Sequence, residues 1–315
     1  MLPGDCGSSV LKSPQPTKTH SDLAKIGPAA FGSLYFTCSE IEPDTNTSLN
    51  IPNFDFLQNK TAILCNSNLL TNFPLLELIL NWLDGQETYQ YEAVLNGARP
   101  KIAVCCDGTE YIVKLSDVSD LFDNPKNECE CLKFAKHCGV RIADTEYLKT
   151  PNGSALAVKR FDVQENGTRC HLLSLAAVKF DDPTCGYAEI AKICTERFGV
   201  PITDIEELYR RLIVNVLVGN GDNHCRNHLL LHNGEKWELS PAFDVTTTKT
   251  ENVSPKRSEL RELGEEMLIA SGMQKLGARV RSTEILLETL RLADTAETTE
   301  PTLSAITQKM IKTLR

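Results

Sequence analysis

The feature that most restricts how this chain can fold is the junction of a strongly apolar helix with a strongly polar loop. Thr203 and Glu206 form a capping-box signature, and Ile205, Leu208, Leu212 and Val216 follow at helical spacing. A helix over Asp204–Val218 is therefore expected to bury one face and to end at Gly219. Directly behind it runs Gly-Asn-Gly-Asp-Asn-His-Cys-Arg-Asn, residues 219–227. Two apolar runs, His228–Leu231 and Trp237–Ser240, then flank the turn signal Asn233-Gly234, which is the pattern of a hairpin. Leu-Ser-Pro-Ala-Phe-Asp closes the stretch at Asp244.

The spacing of the polar residues carries chemistry. Asn227 stands five positions after Asp222, and Asp244 follows 22 residues after Asp222. In phosphoryl transfer by the protein-kinase plan, one Asp positions the acceptor hydroxyl and an Asn five residues on holds Mg²⁺. A later Asp bridges the metal to the phosphates. Asp222 is thus the candidate catalytic residue, with Asn227 and Asp244 as Mg²⁺ ligands, since Mg²⁺ takes few protein ligands and prefers oxygen. Gly-Asp-Asn is also good turn chemistry in its own right. Arg226 is either a phosphate contact or a solvated arginine. His224, His228 and His232 recur every fourth residue, but on a loop and hairpin that spacing does not converge on a metal. His224 reads as a hydrogen-bonding partner that orients the loop.

Upstream, the pattern is one of hairpins. Lys101–Cys106 and Glu110–Leu115 flank Asp107-Gly108, while Thr145–Lys149 and Ala155–Phe161 flank Pro151-Asn152-Gly153. Between them Asn127–Cys138 reads as a helix stopped by Gly139. Lys114, on the second strand, is the candidate that grips the α- and β-phosphates, and Glu128 the acid that orients it. Gly97, Ala98, Arg99 and Lys101 occupy the place of a phosphate-covering loop, although neither a Gly-x-Gly-x-x-Gly nor a Walker pattern is present. Lys159, Phe161 and Asp162 end the last strand, where a kinase hinge would meet adenine; that assignment rests on position.

Beyond Val163 the periodicity becomes helical, over Ser174–Phe180, Tyr187–Phe198 and three segments near 259–275, 283–294 and 302–314. Residues 246–258 are polar and expected to be mobile. Sheet-rich before helix-rich is an α+β arrangement, here a two-lobed protein-kinase-like fold. The expected divisions are an N-terminal segment over 1–90, a nucleotide-binding lobe over 91–163 and a helical catalytic lobe over 164–315. Within the first segment, Ala29–Thr37 and Thr61–Cys65 suggest strands and Phe73–Asp84 a helix.

A net charge of −9 argues against a general nucleic-acid binder. No apolar run approaches the ~20 residues of a membrane span, and no secretory signal is evident. Twelve cysteines in 315 residues read as thiols in a reducing cytosol rather than a disulfide framework. Cys105-Cys106 and Cys129-x-Cys131 lack the spacing of a zinc site.

Taken together, these motifs resemble the HipA family of bacterial serine/threonine kinases. The resemblance rests on Gly-Ala-Arg-Pro-Lys at 97–101, Ile-Val-Lys at 112–114, Lys-Arg-Phe-Asp at 159–162, and above all the 219–227 and 239–244 motifs. Its shorter length is similar to that of the compact HipT-like members. The resemblance implies ATP with Mg²⁺ and transfer to a protein serine or threonine, with an aminoacyl-tRNA synthetase as target class and a HipB-like antitoxin as partner. Family members often carry a serine for autophosphorylation just before the loop glycine; this chain has Ala93-Val94-Leu95-Asn96 there. Two other readings keep the same residues: a lipid or small-molecule kinase, and a kinase-like interaction module with little catalysis.

Overall fold

A computed structural model describes residues 101–106, 109–116, 120–150, 153–164, 168–179, 185–248 and 255–315. The strands and helix expected within 1–90, and loop residues Gly97, Ala98 and Arg99, lie outside the described residues. The chain divides into two compact units, Met1–Lys126 with Asp144–His171, and Asn127–Ala143 with Leu172–Arg315. This division differs from the one drawn on sequence. The body of the helix read as part of the nucleotide lobe belongs to the second unit.

In the first unit, strands β1 (Lys101–Cys106), β2 (Thr109–Leu115), β3 (Thr145–Thr150) and β4 (Gly153–Lys159) form an antiparallel sheet in the order β1-β2-β4-β3. The central strand β4 is buried from Ser154 to Val158, as a strand covered on both faces must be. Asp123 caps helix α1 (Asn124–His137) by accepting from Lys126 N at 3.0 Å. The same carboxylate accepts from Tyr147 Oη and Ser154 Oγ, each at 2.6 Å, tying the cap to β3 and β4. The cap explains why the helix begins three residues earlier than its apolar spacing suggests.

The second unit is built round α4 (Ile202–Leu217), whose residues are buried on nearly all sides. Its N-terminus differs from the expected capping box. Pro201 occupies the cap position with φ −66°, and Thr203 lies inside the first turn. Helix α2 (Leu175–Val178) packs on α3 (Tyr187–Phe198) and α3 on α5 (Arg257–Ala270), while α5, α6 (Lys275–Asp294) and α7 (Pro301–Leu314) pack on α4. Helices α4 and α5 approach closely at Gly264, where a Cβ would overlap the buried Tyr209 ring. A three-stranded sheet of β5 (His171–Ser174), β6 (Leu229–His232) and β7 (Trp237–Leu239) completes the unit. The β6–β7 turn follows the Asn-Gly signal: Asn233 Oδ1 accepts from Glu235 N and Lys236 N, and Gly234 takes φ 102°. Among the described residues no helix is long and apolar enough to cross a membrane.

Candidate active site

The loop after α4 is shaped by its own cap. Gly219 N donates to Val216 O and Asn220 N to Asn215 O, the paired bonds of a Schellman terminus, with Gly219 at φ 66°. The Asn220 side chain then works in both directions. Its Nδ2 donates to Asn215 Oδ1 at 2.8 Å, and its Oδ1 accepts from Asp222 N at 3.1 Å. The backbone of Asp222 is therefore fastened to the rigid end of a buried helix.

Other bonds finish the loop. Gly221 N donates to Thr248 Oγ1 at 2.7 Å, and Gly219 O accepts from both Thr248 N and Thr248 Oγ1. Asp222 O accepts from His224 N at 3.0 Å and from Asn227 Nδ2 at 3.3 Å. Every one of these contacts uses backbone atoms of Asp222 and its neighbours. The Asp222 carboxylate itself is 74% exposed and accepts no hydrogen bond among the described residues; His224 Nε2 lies 4.0 Å from its Oδ1.

Asn227 closes a short 3₁₀ turn, Cys225–Asn227, and is buried. With its Nδ2 committed to Asp222 O, its Oδ1 is left without a donor among the described residues. Asp244 stands in the left-handed region at φ 59°, alone among the described non-glycine residues. Asp tolerates that region better than most residues, yet it is a sparsely populated conformation that surrounding contacts must hold.

Helix α1 supplies that hold. Glu128 Oε1 accepts from Asp244 N at 3.0 Å. Asn127 clamps the backbone of Thr247 from both sides: its Nδ2 donates to Thr247 O at 3.0 Å, and its Oδ1 accepts from Thr247 N at 3.4 Å. Thr247 is buried, so the polar stretch expected from residue 246 onward begins with an anchored residue. The sequence assigns Glu128 to Lys114; the bond seen at its Oε1 serves Asp244.

Asn227 and Asp244 line one small cavity, together with Arg211, Asn215, Asn223 and His228. An Asn and an Asp at one cavity offer the oxygen donors that a hard cation prefers. No group of three or more His, Cys, Asp or Glu able to hold a metal occurs among the described residues. His228 is buried and neutral: desolvation, then the Arg211 and His224 charges, push its pKa down to about 3. Burial also lowers Arg211, to about 10, against the opposing pull of Glu207.

In the first unit, Lys114 stands on β2 directly across from Lys101 on β1, so the two side chains share a face of the sheet. Lys159 ends β4 exposed, and its N donates to Asp144 O. Asp162 departs from the expected nucleotide contact. Its carboxylate is fully buried and bound by Arg160 Nε at 2.9 Å and Nη2 at 2.7 Å, with Arg169 Nη1 at 3.8 Å. Arg226 is exposed. The described cysteines are free thiols, and burial raises Cys131, Cys138 and Cys194 to about 12.

Sequence reasoning missed Asn127, Asn220, Asn223, His228 and Thr248. Asn220 and Asn223 sit inside the motif that was singled out, so their place beside Asp222 was the available signal. Asn127 and Thr248 left none.

A buried helix leading to an exposed carboxylate, with an Asn and a second Asp lining one cavity, follows the order of polar residues in the protein-kinase plan. Residues 93–315, well over half of the chain, match the model of the HipA-like C-terminal domain. The chain belongs to the HipA-like family, whose kinase character accords with that loop. A Sinorhizobium fredii (strain NBRC 101917 / NGR234) protein named “Putative kinase Y4dM” is 28% identical over 163 residues, 45% of this chain and 38% of the relative. The chain thus spans well under half the length of that curated relative. Among solved structures, HipA of Shewanella oneidensis MR-1, from its complex with HipB and operator DNA, superposes with TM-score 0.61 at 14% identity. That match covers 98% of this chain and 80% of the other, and it shows the α+β kinase-like fold. The Helicobacter pylori proinflammatory kinase CtkA gives TM-score 0.44 at 13% identity, over 67% of this chain and 88% of its own.

Proposed function

We propose that the chain is an ATP- and Mg²⁺-dependent protein serine/threonine kinase of the HipA type. The observation that carries the reading is the division of bonds around the loop. Among the described residues the Asp222 carboxylate and Asn227 Oδ1 have no hydrogen-bond donor while the backbone around them is tied by hydrogen bonds, and Asp244 lines the same cavity as Asn227.

In this reading Asp222 orients the acceptor hydroxyl and receives its proton. Asn227 and Asp244 hold Mg²⁺, and Glu128 seats Asp244 through its backbone N–H. His224 keeps the Asp222 side chain directed outward. Lys114 and Lys101 neutralise phosphate charge, and Arg226 provides an exposed cation for a phosphate. When bound, Mg²⁺·ATP supplies the transferable phosphoryl group and the divalent charge. The protein's part is positioning and fixed electrostatics, which require little motion of its own groups.

The acceptor class is a serine or threonine of another protein, with an aminoacyl-tRNA synthetase as the family's example. The Shewanella HipA was solved with HipB and DNA, which supports an antitoxin-like protein partner here, with any contact to DNA made through that partner. A cytoplasmic setting fits these roles. Because Ala93-Val94-Leu95-Asn96, directly before Gly97, contains no serine, self-inactivation by that route is not expected.

The test is incubation with labelled ATP, Mg²⁺ and cell lysate, comparing the wild type with Asp222→Ala and Asp244→Ala. Label on a protein band in the wild type alone is the expected result. Transfer surviving in Asp222→Ala removes the catalytic assignment. Label found only in lipid or small molecules changes the acceptor class, and ATP binding without any transfer favours an interaction module.

A further inference from the structure

The Asp222 loop is tied to α4 through Asn220, and it is tied a second time to the stretch of chain that follows Asp244. Gly221, directly before Asp222, has no side chain, and glycine has more conformational freedom than any other residue. Its N–H is held by a single hydroxyl, donating to Thr248 Oγ1 at 2.7 Å. That hydroxyl gives its own proton to Gly219 O at 3.1 Å, and Thr248 N donates to the same oxygen at 3.2 Å. One threonine therefore spans the two glycines on either side of Asn220, its oxygen serving once as acceptor and once as donor.

The hydroxyl is itself aimed. Thr248 follows Thr247, whose N–H and C=O are held by Asn127 at 3.4 and 3.0 Å. A β-branched side chain on so fixed a backbone is stiff at χ1. Asp244, four residues before Thr248, has its N–H bound to Glu128. The stretch 244–248 is thus pinned along α1, and through Thr248 it is bonded to the loop.

We propose that Thr248 is a positioning residue that sets the Asp222 loop in register with the segment carrying Asp244. In phosphoryl transfer the acceptor oxygen must stand in line with the phosphate, and a misplacement of about 1 Å costs about 100-fold in rate. On the kinase reading Asp222 holds the acceptor, and Asp244 belongs to the group that holds the phosphate side. Asn220 fixes Asp222 against α4. Thr248 fixes it against the other half of the reaction. The bond contributes little to folding, because Gly221 is exposed and water can satisfy its N–H in place of the hydroxyl. Losing it shifts the loop rather than unfolding the chain. The role in transfer rests on the kinase reading; the hold on Gly221 does not.

Two variants and two measurements separate these claims. Thr248→Val keeps the branched shape and removes the hydroxyl, whereas Thr248→Ser keeps the hydroxyl and loses the methyl. Amide hydrogen exchange of the full chain, read by NMR at Gly221 without nucleotide, tests the hold. Gly221 should exchange roughly 2- to 10-fold faster in Thr248→Val than in the wild type, and near the wild-type rate in Thr248→Ser. Equal exchange in the wild type and Thr248→Val overturns the hold and the role with it. Kinetics test the role. Thr248→Val should lower kcat about 10- to 100-fold with KM for ATP nearly unchanged, and Thr248→Ser should restore it to within several-fold. A loss confined to KM, or equal losses in both variants that track their melting temperatures, marks a merely structural threonine and overturns the role. A wild type with no transfer activity removes the kinase reading and the role built on it, while exchange at Gly221 still decides the hold.

Discussion

Replacing Asn127 by leucine removes the clamp on Thr247 while keeping the side chain's approximate size. Asn127 Nδ2 and Oδ1 together satisfy both backbone groups of Thr247, at 3.0 and 3.4 Å, and Thr247 is only 7% exposed. A buried backbone group left unpaired costs about 1–3 kcal/mol. The longer of the two bonds is weak, so we take the lower half of the range for it and expect a total loss of about 2–5 kcal/mol. For a domain of this size each kcal/mol moves Tm by about 2–4 °C, which gives a drop of roughly 4–20 °C. Thr247→Val provides the control: it removes the hydroxyl near Cys131 Sγ but leaves the clamped backbone in place. Thermal denaturation followed by circular dichroism measures both. Mg²⁺-dependent ATP binding should weaken in Asn127→Leu, because Asp244 lies three residues from the loosened point. An Asn127→Leu protein that melts within about 2 °C of the wild type would refute the argument that this side chain holds the segment.

Asp244→Asn should abolish phosphate transfer with little change in stability, because asparagine accepts the left-handed backbone at φ 59° as readily as aspartate. Asp244→Ala should be equally inactive but less stable by about 1–2 kcal/mol, read from urea denaturation of the two variants side by side. Gly264→Ala should destabilise by about 1–3 kcal/mol, since the added methyl meets the buried Tyr209 ring; an unchanged denaturation midpoint would contradict the close approach. Cys131, Cys138 and Cys194 are raised to about 12 in the folded chain, from the 9.0 of an ordinary thiol. Above that ordinary value the unfolded chain binds fewer protons than the native one. Stability is therefore full below pH 9 and falls as the pH rises towards 12, which melting curves across that window will follow.

What was legible in the sequence was local. The hairpin at Asn233-Gly234, the β1–β2 pair around Asp107-Gly108 and the termination of α4 at Gly219 all follow from turn chemistry and apolar spacing within a few residues. The grouping of Asn227 with Asp244 was legible because both belong to one recognisable order of polar residues. Contacts between distant segments were not. The Asn127–Thr247 clamp spans 120 positions, and the Glu128–Asp244 bond 116, and neither leaves a periodic trace. Asp162 misled for a related reason. Its place at a strand end suggested a ligand contact, whereas two arginines, one two residues before it and one seven after, neutralise it in the interior. The start of α4 misled because Pro201, with its fixed φ, outranked the Thr203–Glu206 signature.

The division of bonds around Asp222 has a practical consequence. Shape in this loop is made by backbone atoms, by Asn220 and by Thr248, while the Asp222 carboxylate oxygens accept no hydrogen bond among the described residues. Selection for foldedness and selection for chemistry therefore act on different atoms. On the proposed function, an Asp222→Ala chain keeps the surface of the wild type, so it can serve as bait that binds a protein acceptor without modifying it.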